Sequence, residues 1–402
     1  MANSYFHLLN QFLALVSQVI IIKGFFQFFE ADEITTFFLL STFLGVMGQT
    51  LIGGQSNVFL RYLPGEKIHV NSIFRNYFSF FQTNYFYLIF LFLFFMAVVI
   101  FLLPNFNIYL LFTFIGYLIG FTFNQFFVLI LFLKGFAHIV SILLIIDVIT
   151  KSAYIFYFKN DINLLTFYII SICIYFLVFM VYNIISSKDF FFKISLTKDR
   201  LSFSKSEKIL KFHLRTGIFS WLQLSSDRYI ISGLGGEINL FSLMQQIFYF
   251  PFTVAINFFG SILGKRLFPL HMEIFSKQLL IFALLQTGLF LVIIFFSLQF
   301  GELILNWFYP NGIFNSNVAA LFCFLGYLSI IHMCLFLVVQ KKEIHQKVSV
   351  IYLVGPIFNV FFMATSYFFY DIIGLLVSQN IYLIIIIIYL GKTLLDERNI
   401  NY

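Results

Sequence analysis

Charge is what this sequence has least of. Only 10% of its 402 residues are Asp, Glu, Lys or Arg, against 61% hydrophobic, where a water-soluble domain carries about 25% charged residues. That shortage excludes a soluble globular chain and requires lipid as the solvent. Cysteine is scarce as well. Cys173, Cys323 and Cys334 all fall inside apolar runs, at spacings that match neither a zinc site nor a redox pair, so no disulfide framework and no metal are expected. There is no phosphate-cradling Gly-rich loop, no HExxH pair and no nucleophile elbow, and the seven His are scattered. Enzyme chemistry and a bound cofactor are therefore not expected. The missing Walker motif excludes an ATP-driven pump within this chain, so any transport draws on a gradient or on a partner's energy. The start of the chain carries no positive charge before its first apolar run and no small-residue cleavage pattern after it, and reads as a first helix rather than a signal peptide. Of only six prolines, Pro251 and Pro356 lie inside apolar runs, where they would kink helices that move between states.

What is present is apolar length. A bilayer core about 30 Å thick takes roughly 20 apolar residues per helix, so a chain of this size holds about twelve spans. The runs cover residues 5–29, 34–60, 73–103, 106–133, 136–158 and 162–187, then 209–233, 238–263, 278–300, 314–340, 347–370 and 371–391. The weakest break separates the last two. Period-2 alternation is absent and the runs are too long for barrel strands, which makes the fold all-α. The 63 Phe and 22 Tyr are spread along the chain, as packing and lipid-facing surface require, and carry no functional signal.

The longest polar stretch, Lys188 to Lys211, divides the chain into an amino-terminal lobe (1–187), a linker (188–208) and a carboxyl-terminal lobe (209–402). The linker reads as an anchor between lobes or as a basic helix on the anionic cytoplasmic leaflet. A weak internal repeat accompanies the division. Glu33 matches Glu237, and Arg61 matches Lys265, as in the parallel repeats of transporters.

Every second loop is basic: Arg61, Lys67 and Arg75; Lys134; the linker; Lys265, Arg266 and Lys277; Lys341, Lys342 and Lys347; and Lys392 with Arg398 at the end. The opposite loops offer Lys159 against Glu30, Asp32, Glu33, Asp161, Glu237, Glu302 and Asp371. The positive-inside rule then places both termini in the cytoplasm.

Ionisable residues within the spans are costly and become the functional candidates. They are Lys23, Asp147, Lys151, Asp227 and Arg228. His138, His213, Arg215 and His332 lie near span ends or alone and read as snorkelling or locally hydrogen-bonded. Asp147 and Lys151 stand four apart on one helix face and can neutralise one another. Alternatively Asp147 binds a coupling proton or cation, or Lys151 meets an anionic substrate. Asp227 and Arg228 point about 100° apart, so each needs another partner. Thr216, Ser220, Gln223 and Asp227 form a polar stripe in the seventh span, and Gln49, Gly53 and Ser56 form one in the second. Such stripes are hydrogen-bonded seams or cavity walls. In the first span His7, Asn10, Ser17 and Gln18 share a side from which Lys23 projects away.

Four stretches resemble one family: DRYIISGLGGEINLFSLMQQIFYFP from Asp227, GGQSNVFLRYLP from Gly53, KGFFQFFEADEITTFFLL from Lys23 and QKKEIHQKVSVIYLVGPIFNV from Gln340. They are similar to segments of the O-antigen and capsule flippases, within the multidrug, oligosaccharidyl-lipid and polysaccharide exporter superfamily. Lys23 stands where the family commonly has Arg, and the chain is compact. The resemblance implies two lobes facing each other across a central cavity that opens alternately to either side of a bacterial inner membrane. It implies a cargo, an oligosaccharide on undecaprenyl diphosphate, and as partners membrane lipids, a polysaccharide polymerase and a chain-length regulator, with no nucleic acid. Arg228, Lys151 and Lys23 are then the candidates for meeting the diphosphate or acidic sugars, since Arg matches phosphate oxygens bidentately. Arg61 would gather the headgroup at the cytoplasmic mouth, or serve only as a positive-inside anchor. Asp227, ahead of Asp147, would carry the coupling ion, and Thr216, Ser220, Gln223, Gln49 and Ser56 would line the cavity. Three rivals stand beside this reading. An ion-coupled exporter of drugs or small cations would need acidic residues in excess, a lipid II flippase usually has two more spans, and a membrane polymerase or glycosyltransferase would need a sizeable outer loop.

Overall fold

The computed structural model describes residues 2–47, 108–133, 136–158, 162–186, 225–258, 270–310, 312–342 and 344–400, with a few single positions between them. Among the described residues every regular element is helical, as the unbroken apolar runs require. The chain forms two compact units, Met1–Leu214 and Arg215–Tyr402.

The first unit contains α1 (Ala2–Phe28), α2 (Ala31–Met47), α3 (Ile108–Leu133), α4 (Ala137–Tyr157) and α5 (Leu164–Ser186). Gly24 lets α1 approach α4 closely, because a Cβ there would strike the Ile155 side chain. Helices α3, α4 and α5 share a core of Phe127, Leu131, Val140, Leu143, Val178 and Tyr182. Glu33 reaches across the unit, and its Oε1 accepts a 3.0 Å hydrogen bond from the Leu164 amide at the start of α5. A carboxylate there satisfies one of the open N–H groups and suits the helix dipole. Burial pushes the Glu33 carboxyl upward from the ordinary range, and the Leu164 bond opposes that shift. Its counterpart in the second half, Glu237, stands at the N-cap of a helix without making a side-chain cap. The two matched glutamates therefore act differently.

In the second unit a helical stretch at 225–233 ends on Gly235, whose φ of 78° supplies the left-handed turn that glycine adopts without cost. Then follow α6 (Ile238–Met244), a π-helical turn (Gln245–Tyr249), α7 (Phe250–Phe258), α8 (Met272–Phe308), α9 (Ser316–Lys341) and α10 (His345–Ile400). Asn315 starts α9 by accepting from the Asn317 and Val318 amides at 3.0 and 3.3 Å. The apolar stretch Lys347–Asp396 within α10 has 50 residues, about 75 Å of helix at 1.5 Å per residue, which is more than twice a bilayer core. It folds back on itself at Asp371, which takes φ 54° and ψ −149°. Tyr389 donates to the Lys347 carbonyl at 3.0 Å, Tyr382 lies against Gly355, and the Ser366 and Ser378 hydroxyls meet at 3.0 Å. The paired numbers run in opposite directions, so the two arms form an antiparallel hairpin. The weak break expected at 370 and 371 is thus a true turn. Backbone near Pro356 stays helical, whereas the widened turn lies just before Pro251, which has no N–H to close a regular one.

Six helices among the described residues are long and apolar enough to cross a membrane. Their outer faces carry large apolar side chains in the open, such as Leu284, Leu285, Phe295 and Phe361. On a soluble protein so much exposed apolar surface would drive aggregation; here it suits lipid.

Gly326 of α9 sets the spacing to α7. A Cβ at that position would strike the buried ring of Phe252. Gly326→Val is expected to cost about 1–3 kcal/mol through overpacking, seen as a lower unfolding midpoint of the purified protein. Gly288→Ala, where nothing lies within 4 Å of the added carbon, should leave the midpoint where it is.

Candidate functional site

The carboxyl-terminal half holds two adjacent opposite charges deep in its interior. Asp227 is 1% exposed and Arg228 8%. Side chains next to each other on a helix diverge, and these two are joined instead through the π-helical turn. Gln245 Oε1 accepts from the Arg228 guanidinium Nη2 at 2.7 Å, and its Nε2 donates to Asp227 Oδ2 at 3.2 Å. A guanidinium only donates and an ionised carboxylate only accepts, so the amide has a single orientation that serves both. Gln379 from α10 adds a second amide donor to Asp227 Oδ2 at 3.4 Å, while Asp227 Oδ1 accepts from the Arg228 backbone N–H at 2.7 Å. Each charge does have a further partner, and Gln245 is one that they share.

The backbone explains the placement. Through Gln245–Tyr249 the helix takes one extra residue per turn, and the Phe250 amide bonds back five residues to the Gln245 carbonyl. Such turns are frequent where helices carry functional positions. The far end of the turn is held by Tyr249, whose hydroxyl lies 3.4 Å from that of Ser329 on α9.

The amino-terminal half holds the second pair. Lys151 Nζ lies 2.7 Å from Asp147 Oδ1, one helical turn away on α4. The lysine is 7% exposed, and its ammonium sits 5.8 and 5.9 Å from the ring centres of Phe167 and Tyr175 on α5. Aromatic faces at that range stabilise a desolvated cation. The pair neutralises itself, the first of the alternatives open for these residues.

Of the other candidates, Lys23 is partly buried on α1 and Thr216 is buried. Gln49, Ser56, Arg61, Ser220 and Gln223 lie outside the described residues, as do His213, Arg215 and the linker. His332 makes a 2.6 Å hydrogen bond with the Tyr352 hydroxyl, the local bonding expected of it; His138 is exposed. Gln245 and Gln379 are functional candidates that sequence reasoning misses; the signal available is a short polar cluster inside a long apolar run, Gln245 with Gln246, and Ser378, Gln379 and Asn380.

No family model and no curated protein matches the sequence. Solved structures do. A MOP superfamily transporter from Pyrococcus furiosus aligns over 97% of this chain and 94% of its own at 12% identity, with a TM-score of 0.66. The MATE multidrug transporter DinF-BH aligns over 99% and 95% at 14% identity and a TM-score of 0.65. The MATE transporter VcmN of Vibrio cholerae, as a mutant, aligns over 98% and 96% at 14% identity and 0.57. The fold is that of the MATE transporters. This chain is accordingly similar over nearly its whole length to multi-pass membrane transporters, and a count of about twelve spans is consistent with that fold. At such identities the likeness carries the fold and not the cargo.

Proposed function

We propose that this chain is a gradient-driven transporter that turns an oligosaccharide on undecaprenyl diphosphate from the cytoplasmic leaflet to the outer one, for assembly of a surface polysaccharide. The observation behind this reading is the state of the acids within the spans. Asp147 is held by Lys151, and Asp227 accepts three N–H donors. Among the described residues neither in-span carboxylate is left to meet a cationic cargo. Arg228 carries the chemistry an anionic headgroup would need, since a guanidinium has five N–H donors and suits phosphate oxygens. Diphosphate and sugars cannot cross about 30 Å of hydrocarbon unaided, while a prenyl tail can stay in lipid throughout. Lys151 is the second candidate for the anion and Lys23 the third, and Asp227, ahead of Asp147, is the candidate for a coupling ion.

A second reading, an exporter of small organic cations, is favoured by the neighbours named as multidrug transporters. The Pyrococcus furiosus neighbour, in contrast, is described by a binding pocket of reverse polarity that suggests a different function. Expression in cells that lack their own repeat-unit flippase separates the two. Restored surface polysaccharide supports the first reading; resistance to cationic dyes with no polysaccharide supports the second.

A further inference from the structure

We propose that Gln245 couples the charge state of Asp227 to the availability of Arg228, so that the carboxyl-terminal half takes up a proton and an anionic headgroup together. This rests on the reading that Arg228 meets the diphosphate. Gln245 is a positioning residue in this scheme: it acts through Arg228 and need not touch the cargo.

The coupling follows from the donor and acceptor inventory. The amide serves both neighbours only while Asp227 is an acceptor and Arg228 a donor. Asp227 Oδ2 already accepts from the Gln245 and Gln379 amides. A proton arriving on Oδ2 must displace one of those donors. A proton on Oδ1 meets the Arg228 backbone N–H that lies 2.7 Å away. In both cases the charge assistance that roughly doubles the strength of such bonds is lost. If the amide turns so that Oε1 accepts the new O–H, its NH2 faces the guanidinium, donor against donor. Protonation of Asp227 therefore loosens the 2.7 Å bond from Arg228 to Gln245 and turns the guanidinium toward another acceptor.

The reverse must hold to the same degree, because coupling between two binding events is reciprocal. An anion that draws Arg228 away from Gln245 leaves Asp227 with a weaker donor set and a greater tendency to hold a proton. A proton taken up with a diphosphate also lowers the net charge carried into a medium of low dielectric. Gln245 opens the π-helical turn and Tyr249 closes it, so the amide is set at the start of a non-standard helical turn of the kind frequent at functional sites. Among the described residues, the groups that face the bridge include Asp227, Arg228 and Tyr229 from the stretch at 225–233, Gln245 and Tyr249 from the turn, and Gln379 from α10. Of these, Asp227 is the carboxyl on which the coupling proton would sit.

The test is binding of geranyl diphosphate to the purified full chain in lipid nanodiscs across a range of pH, for wild type, Gln245→Met and Asp227→Asn. The probe's own titration is common to all three and cancels in their ratios. Wild type should bind more tightly toward acid, approaching about tenfold per pH unit where Asp227 titrates. Gln245→Met, close to isosteric, should bind with a pH dependence within about twofold of flat. Asp227→Asn, fixed in the uncharged state, should also be flat and should keep the tight acid-side affinity. A wild-type slope retained in Gln245→Met overturns the coupling, and if that variant fails to fold, the same slope in Asp227→Asn overturns it alone. A wild type that binds no probe at any pH removes the role of Arg228 itself, and the coupling with it.

Discussion

Arg228→Ala is expected to abolish surface polysaccharide in cells that depend on this chain, with lipid-linked repeat units accumulating inside. Loss of one charge-assisted contact is worth roughly 1.5–3 kcal/mol, or about tenfold to a hundredfold in binding. Arg228→Lys should keep part of the function, since it retains a point charge without the bidentate fork. The bridge through Gln245 gives the alanine variant a second liability, because Gln245 Oε1 loses the donor that now lies 2.7 Å away. Membrane levels of each variant therefore need measuring beside polysaccharide. An Arg228→Ala protein of normal abundance that exports at the wild-type rate removes this residue from the mechanism.

Lys151→Met should be the more damaging change to the fold. It strands Asp147, a half-buried carboxylate compensated by an ammonium 2.7 Å away, and breaking a pair from one side costs up to about 3–5 kcal/mol where it is buried. The expected result is a protein of low abundance with a depressed unfolding midpoint. Asp147→Leu combined with Lys151→Met removes both charges, and apolar replacement of a buried pair is often neutral. The double variant should therefore regain abundance and transport. A double variant that folds normally but does not transport would instead give the pair a role in binding cargo or a coupling ion.

How legible each of these features is in the sequence depends on how local its cause is. Asp147 and Lys151 are a turn apart, so helical geometry alone brings them together. The hairpin at Asp371 is readable as a weak break because 50 apolar residues cannot lie in one span. Asp227 and Arg228 show the limit. Helical spacing establishes that neither can satisfy the other directly, but it cannot supply the partner. Gln245 is 17 positions from Arg228 and Gln379 is 152 from Asp227, and such separations are set by how helices pack. The π-helical turn is still less visible. It differs from α-helix by one residue of register, and only Pro251 nearby marks the place where a regular turn is hard to close. Gln49, Ser56, Arg61, Ser220 and Gln223 fall outside the described residues, and their part as cavity lining and headgroup collector is an expectation of the sequence alone.

The central claim is that the chain moves a prenyl-diphosphate-linked sugar from one leaflet to the other. It is tested most directly with the purified protein in sealed vesicles that carry undecaprenyl-diphosphate-linked oligosaccharide in the inner leaflet, by following the access of an added glycosidase to the sugar. The account predicts that access appears with the wild-type protein, speeds up when an ion gradient is imposed, and is lost with Arg228→Ala. Access no faster than in protein-free vesicles, from protein that moves a cationic dye across the same membrane, would contradict it.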